Sequence, residues 1–209
     1  MQLEQALREI SEIRGHLVRS ETFRGTRAVS VAATGVVAAA AAALQPFVLS
    51  VPEATPLLFL GYWIAVAAVA AGIGGAQLLD TYVASRSAHE RATTRAVLGQ
   101  FVPPIAAGAL VTLVVTAVDP AFVRWLPGLW AIFTGLALFA ARPFLPKAIG
   151  FVALAYLLAG TVILLFRRGD EAFFPWVMGT TFGAGQLGCA LVFYWNIERK
   201  ERAAHAAEA

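Results

Sequence analysis

Residues 26–49 read TRAVSVAATGVVAAAAAALQPFVL, an arginine followed by a long stretch of apolar and small side chains. About 20 such residues in a helix cross the roughly 30 Å hydrocarbon core of a bilayer. Five more stretches of this kind follow, at residues 56–78, 98–118, 123–141, 147–166 and 174–195. The stretches are continuous rather than alternating, and helices satisfy their own backbone groups in lipid. The sequence therefore predicts an all-α polytopic membrane protein with six transmembrane helices, the first at 28–49.

The overall composition agrees with a bilayer environment. Hydrophobic residues make up 59% of the chain and charged residues 14%, against roughly 45–50% and about 25% in soluble domains. The connections between the spans are short, which leaves no room for a separate soluble domain. Cys189 is the one cysteine of the sequence, so a disulfide within the chain is excluded.

The segment before the first span has a helical pattern. Leu3 and Leu7 begin a series of apolar residues at helical spacing, with charged residues between them. We therefore expect a cytoplasmic amphipathic helix at 1–24, a six-helix transmembrane domain at 25–197 and a cytoplasmic tail at 198–209. Three roles stay open for the first helix: lying on the inner leaflet, packing beneath the bundle, or docking on a protein partner.

The distribution of cations predicts the orientation. Most of the 16 Lys and Arg residues fall on the side that holds both termini, which the positive-inside rule assigns to the cytoplasm. We expect integral insertion in a bacterial plasma (inner) membrane, and no nucleic-acid partner, because the cations form no patch interleaved with aromatic residues. Interface anchors are expected at Arg27, Arg95 and Lys147 on the inner side and at Trp63, Trp130 and Trp176 on the outer side.

A short pattern recurs where the odd-numbered spans begin. Thr26-Arg27-Ala28-Val29 matches Thr94-Arg95-Ala96-Val97, and Lys147-Ala148-Ile149 is a weaker third copy. Each copy is followed, across one outer connection, by a tryptophan in the next span. This internal repeat predicts three helical hairpins in a pseudo-threefold bundle, at about 27–79, 95–141 and 147–196. Convergence is the alternative, since any span benefits from a cation inside and an aromatic residue outside.

Small residues predict which helix faces meet, because membrane helices associate by close packing of Gly, Ala, Ser and Thr. Gly179 and Gly183 form a GxxxG pair in the sixth span, and Gly75 lies in a similar small-residue stretch of the second. We expect these three glycines at helix contacts and the sixth span at the centre. Pro103-Pro104 is expected to kink or locally unwind the third span.

Polar residues at membrane depth are candidates for ligand contacts, because burying them is costly. Gln186 near the middle of the sixth span is the strongest of these, although a lone glutamine also bridges helices by hydrogen bonds. The full set of ligand-binding candidates is Gln186, Gln77, Thr181, Gly185 and Gln100.

The sets of residues that membrane enzymes need are missing from the sequence. It contains no HExxH helix, no GxSxG elbow and no pair of carboxylates deep in a span. His16, His89 and His205 all fall in segments expected in the cytoplasm. We therefore predict a non-enzymatic protein with no catalytic residues, no metal site and no cofactor.

The layout carries two resemblances, neither of which extends to a diagnostic motif. Six short-looped spans with both ends inside resemble the substrate-binding subunits of energy-coupling-factor importers, and three hairpins resemble the acid-resistance proteins of the short-repeat membrane class. The first hypothesis is binding or transport of a small neutral or hydrophobic molecule, in a pocket between the small-residue faces of spans two and six. Alternatives are an accessory, regulatory or scaffold subunit of a larger membrane complex, and an unrecognised lipid-modifying enzyme.

Overall fold

The computed structural model describes residues 27–49, 55–85, 88–166 and 169–199, and all regular elements in these ranges are helices. Six are long and apolar enough to cross a membrane, which confirms the predicted class. They are α1 (Ala28–Val48), α2 (Pro56–Ala84), α3 (Ala88–Val118), α4 (Leu126–Ala141), α5 (Ile149–Phe166) and α6 (Pro175–Glu198). Two 3-10 turns, Pro120–Trp125 and Arg142–Phe144, flank α4. We call the end of the bundle where α1 begins its inner end. The predicted amphipathic helix at 1–24 and nearly all of the tail lie outside the described residues.

Helices α2 and α3 extend further at the inner end than their apolar stretches predicted. Helix α2 continues to Ala84 rather than 78, and α3 begins at Ala88 rather than 98. The extended helix satisfies the hydroxyl groups along it: Thr81 donates to the carbonyl oxygen of Gln77 (2.9 Å) and Ser85 to that of Thr81 (2.7 Å). At about 1.5 Å per residue these helices exceed the bilayer core by several turns.

The six helices are arranged around the bundle in sequence order, with α6 next to α1. This ring is open between α2 and α3. The most extensive contacts join α4 to α5 and α1 to α6, followed by those between α3 and α4, whereas α2 and α3 barely touch. In the most apolar stretch of the fourth span 50% of residues are buried, against 33% in the sixth. The expectation that the sixth span lies at the centre was therefore wrong. Helix α4 is the most enclosed, because it packs on both of its sequence neighbours.

The contact between α4 and α5 depends on glycines in both helices. A Cβ built at Gly160 would lie 2.6 Å from the carbonyl oxygen of Gly128, and one built at Gly128 would lie 2.9 Å from that of Gly160. Gly135 approaches the carbonyl oxygen of Ala153 equally closely, at 2.9 Å. The two backbones are thus in direct contact. The sequence signal for this contact was a pair of small residues seven positions apart on each helix, Gly128 and Gly135 on α4 and Ala153 and Gly160 on α5.

The contact between α1 and α6 uses the predicted GxxxG pair. Gly179 and Gly183 are buried, and they face Ala42 and Ala39 of the slender first span. A Cβ at Gly35 would lie 3.0 Å from the carbonyl oxygen of Gly183. At the inner end the Glu198 carboxylate accepts a hydrogen bond from the backbone N–H of Ala28 (2.8 Å). The sixth span therefore caps the first, since a carboxylate satisfies a free N–H at a helix N-terminus.

The third span does not unwind at Pro103-Pro104. Helix α3 is continuous from Ala88 to Val118 through both prolines. Of the two expected effects, local unwinding is absent, because apolar surroundings penalise any loss of backbone hydrogen bonds beyond those that proline itself removes. The kink stays a prediction.

Candidate functional site

The outer end of the bundle contains a buried glutamine that the sequence analysis did not select. Gln45 near the end of α1 accepts a hydrogen bond from the indole N–H of Trp63 (2.9 Å) and donates to the carbonyl oxygen of Phe173 (2.8 Å). Tyr62 donates to the carbonyl oxygen of Ala41 beside it (2.6 Å). Gln45 therefore joins α1, α2 and the connection before α6, and its position at the end of an apolar helix concealed this role.

Trp63 was expected as an anchor at the lipid interface, and it lies instead in the core. Its side chain is only 2% exposed. The indole N–H is bonded to Gln45, and the centre of its ring lies 6.4 Å from that of Phe59. Trp176 has 58% of its surface exposed, and its role as an anchor stays a prediction. Among the cations, Arg27, Arg95 and Lys147 are all exposed at the inner end.

The bond made by Trp63, which joins α1 and α2, has a counterpart between α3 and α4. The indole N–H of Trp130 donates to the hydroxyl of Thr112 (2.8 Å), and in both pairs the acceptor precedes the tryptophan by 18 residues. The residue 18 positions before Trp176 is Leu158, which has no side-chain acceptor. The pair α1 and α2 and the pair α3 and α4 thus share a bond at the same spacing, and α5 offers no acceptor at the corresponding position.

The middle of α6 has irregular helical geometry around the predicted ligand contacts. Residues Gly179–Ala184 and Tyr194–Glu198 are π-helical, with regular α-helix at Gly185–Phe193 between them. Single π turns within α-helices are frequent at functional sites. Thr181 lies inside the first π segment, and Gln186 follows it closely. The π geometry could not be read from the sequence, which showed only the unusual number of small and polar residues.

Gln186 is half-buried and faces α1. Its Cβ would lie 3.2 Å from a Cβ built at Gly35, and over the residues that the structure describes its amide makes no hydrogen bond. Gly185 faces the other way, toward α5, where the ring of Tyr156 lies directly against its backbone. The two neighbouring candidates therefore point to different helices.

The hydroxyl of Tyr156 is a buried polar group without a partner. The side chain is 2% exposed, its ring lies 5.7 Å from that of Phe182, and it belongs to the same apolar cluster as Cys189. Among the described residues, this hydroxyl oxygen is the one side-chain nitrogen or oxygen atom that is fully buried with no hydrogen bond. An unsatisfied hydroxyl in an apolar interior costs about 1–3 kcal/mol. No pattern in the sequence indicated that this tyrosine would be buried.

The small-residue runs of spans two and six do not form the expected pocket between them. Gly183 packs on α1 and Gly185 on α5, whereas a Cβ built at Gly74 or Gly75 would meet nothing within 4 Å. Gly75, expected at a helix contact, is exposed. The reason is that the buried residues of α2, which are Phe59, Leu60 and Trp63, all lie near its outer end.

The remaining candidates lie apart from the middle of α6. Gln77 is half-buried toward the inner end of α2, and Gln100 is exposed on α3. No described group of three or more His, Cys, Asp or Glu side chains could hold a metal ion, and His16 and His205 lie outside the described ranges. No known family model matches the chain, and neither curated proteins nor solved structures include a significant match to it.

Proposed function

We propose that the protein is a non-enzymatic accessory or scaffold subunit of a membrane complex, which contacts a protein partner through α2 and α3. The observation that supports this proposal is the exposure of these two helices. In their most apolar stretches only 17% of residues are buried in α2 and 11% in α3, and the two helices scarcely touch each other. Membrane helices rich in small residues gain stability by packing on other helices. Among the described residues α2 packs mainly on α1 and α3 mainly on α4, so a wide face of each is left open.

The same proposal includes the membrane location, the orientation of the termini and the internal repeat. We propose a bacterial inner-membrane location with both termini cytoplasmic, supported by the charge bias, and an amphipathic helix at 1–24 available to a partner. We also propose an internal repeat of three hairpins in a pseudo-threefold bundle. The bonds of Trp63 and Trp130 support equivalence of the first two hairpins, and the third departs from it by having Leu158 where an acceptor would stand.

A second candidate function is binding or transport of a small molecule near the middle of α6. The observation that favours it is the unpartnered Tyr156 hydroxyl, which lies beside a π-helical segment at about the mid-depth of α5 and α6. A small neutral molecule with one hydrogen-bonding group would satisfy this hydroxyl. Native mass spectrometry of the purified protein tests the idea, because a bound non-protein mass should be retained by the natural protein and lost in Tyr156→Phe.

The accessory proposal is tested by photocross-linking in the native membrane. A benzophenone side chain is introduced at Val69 of α2 or Leu113 of α3, with Leu158 of α5 as a control of similar exposure (55%, 66% and 58%). We expect a discrete protein adduct from Val69 or Leu113 and only lipid adducts from Leu158. Lipid adducts alone at all three positions would contradict the proposal.

A further inference from the structure

Two arginine side chains link the inner ends of α2 and α3. Arg91 and Arg95 lie about one turn apart on α3. Arg91 donates a hydrogen bond to the backbone carbonyl oxygen of Ser85 (2.7 Å), and Arg95 donates one to the hydroxyl oxygen of Tyr82 (3.1 Å). The Arg95 guanidinium also lies 6.0 Å from the centre of the Tyr82 ring, which is within range of cation–π attraction. Both guanidinium groups are therefore held beside the end of α2.

Most of the hydrogen-bonding capacity of these two arginines is unused. A guanidinium group carries five N–H donors, and the described chain accepts from one donor of each side chain. Neither side chain forms an ion pair with a described carboxylate. Like charges four positions apart destabilise a helix, and negative charge is favoured near a helix N-terminus. An anion bound by Arg91 and Arg95 together would remove their repulsion.

The depth of the two arginines matches the lipid headgroups. The apolar stretch of α2 ends at Leu78, and that of α3 begins at Leu98. At 1.5 Å per residue, Tyr82 lies about 6 Å and Arg95 about 4.5 Å beyond these limits. The polar layer on each side of the hydrocarbon core is roughly 5–7 Å thick. The Arg95 guanidinium is therefore at the level of lipid phosphate groups, and Arg91 is one turn further out.

The face of α3 that carries the arginines continues into the hydrocarbon as an apolar surface. Leu98, Val102 and Ile105 follow Arg95 at steps of three, four and three residues, which keeps them on one side of the helix. All three are exposed (36%, 50% and 39%), and the ring of helices is open here, between α2 and α3. Cations at headgroup depth are thus followed by open apolar side chains at the depth of acyl chains.

We infer that Arg91 and Arg95 bind the phosphodiester of an anionic diacyl phospholipid such as phosphatidylglycerol, with its chains along Leu98 and Val102 in the opening between α2 and α3. The planar guanidinium matches two phosphate oxygens at once, and basic residues between membrane helices are typical binding positions for anionic headgroups. The lipid site goes beyond the accessory role and does not depend on it, since Leu113 lies about 22 Å further along α3 than Leu98.

Lipid titration followed by native mass spectrometry tests the inference. The full chain is purified in a neutral detergent, freed of lipid and titrated with phosphatidylglycerol or phosphatidylcholine. Phosphatidylglycerol should bind at least about fivefold more tightly, and Arg91→Gln or Arg95→Gln should each weaken it by about fivefold, as expected for one arginine at a membrane surface. The double variant should weaken it by about 25-fold. None of these changes should alter the binding of phosphatidylcholine.

Lys147→Gln is the matched control, because Lys147 is also an exposed cation at the inner end but belongs to the connection before α5. It should leave the affinity for phosphatidylglycerol unchanged. Melting temperatures without lipid should be equal for all variants, which separates lost binding from lost folding. Unchanged affinity in the double variant, or an equal loss in Lys147→Gln, would overturn the inference.

Two further measurements distinguish a lipid from a free phosphate. Glycerol 3-phosphate, which has the phosphate without the chains, should not displace phosphatidylglycerol at equal concentration. Phosphatidylglycerol with a diazirine in one acyl chain should label the segment of α3 from Leu98 to Ile105 more than α5, and the double variant should lose this preference. Displacement by glycerol 3-phosphate would assign the arginines to a soluble phosphate, and equal labelling of α3 and α5 would show that the chains have no site; either result overturns the inference.

Discussion

At the scale of single residues, the described polar side chains at membrane depth differ in whether a partner is present. Gln45 uses both ends of its amide, while Gln186, the strongest candidate from sequence, uses neither. Their positions in apolar stretches look alike in the sequence. The difference arises from what the neighbouring helices place opposite each side chain.

Replacing Gln45 should therefore be costly. Gln45→Leu leaves the buried Trp63 N–H without an acceptor, and we expect a loss of about 1–3 kcal/mol in the free energy of unfolding. Gln186→Leu is the matched control and should change it by no more than about 0.5 kcal/mol. Unfolding in mixed micelles of increasing denaturing detergent measures both values. Equal effects of the two changes would contradict the assigned role of Gln45.

Removing the Tyr156 hydroxyl should not lower the free energy of unfolding, in contrast to replacing Gln45. Because the group has no partner, Tyr156→Phe should be neutral or stabilise the protein by up to about 1 kcal/mol. Tyr62→Phe, which loses the bond to the Ala41 carbonyl oxygen, should cost about 1 kcal/mol. The same unfolding measurement in lipid-containing micelles separates the cases. If Tyr156→Phe is the more harmful of the two, the hydroxyl has a bound partner, in support of the small-molecule candidate.

At the scale of helices, stability depends on how closely the backbones approach. The α4 and α5 contact has no space for a side chain at Gly160, because the nearest atom is a backbone oxygen, which cannot move aside. Gly160→Val should therefore cost about 1–3 kcal/mol or more, seen as lower thermal stability and lower yield of folded protein. Gly74→Val is the control, since its Cβ would contact nothing. A stable Gly160→Val variant would show that the two helices can separate without loss.

The helices also show how far sequence reasoning reaches. The number and type of the spans were predicted, and so was the burial of Gly179 and Gly183. The inner ends of α2 and α3 were not, since hydropathy falls where polar residues such as Thr81 still continue the helix. The candidate site was predicted only in part: the small, polar middle of α6 drew attention to Gln186 and Thr181, but Tyr156 looked like any other residue of an apolar span.

At the scale of the whole molecule, the orientation proposed from the charge bias can be measured. In intact cells carrying the Cys189→Ala chain, a membrane-impermeant maleimide should label Thr55→Cys, which lies at the outer end. Lys147→Cys at the inner end should be labelled only after the cells are opened. Both native side chains are exposed, so burial does not explain a difference. Labelling of Lys147→Cys in intact cells would reverse the assigned orientation.

The sequence by itself determined that this chain crosses a membrane with six helices. The free energy of transfer into lipid is summed along each segment, so it can be read without knowledge of the fold. The tertiary structure alone decided which faces meet. Trp63 is buried while Gly75 is exposed, and α4 rather than α6 is the most enclosed helix. The reason is physical: lipid chains and a protein interior are similarly apolar, so hydropathy identifies the spans but does not distinguish a side facing lipid from one facing another helix.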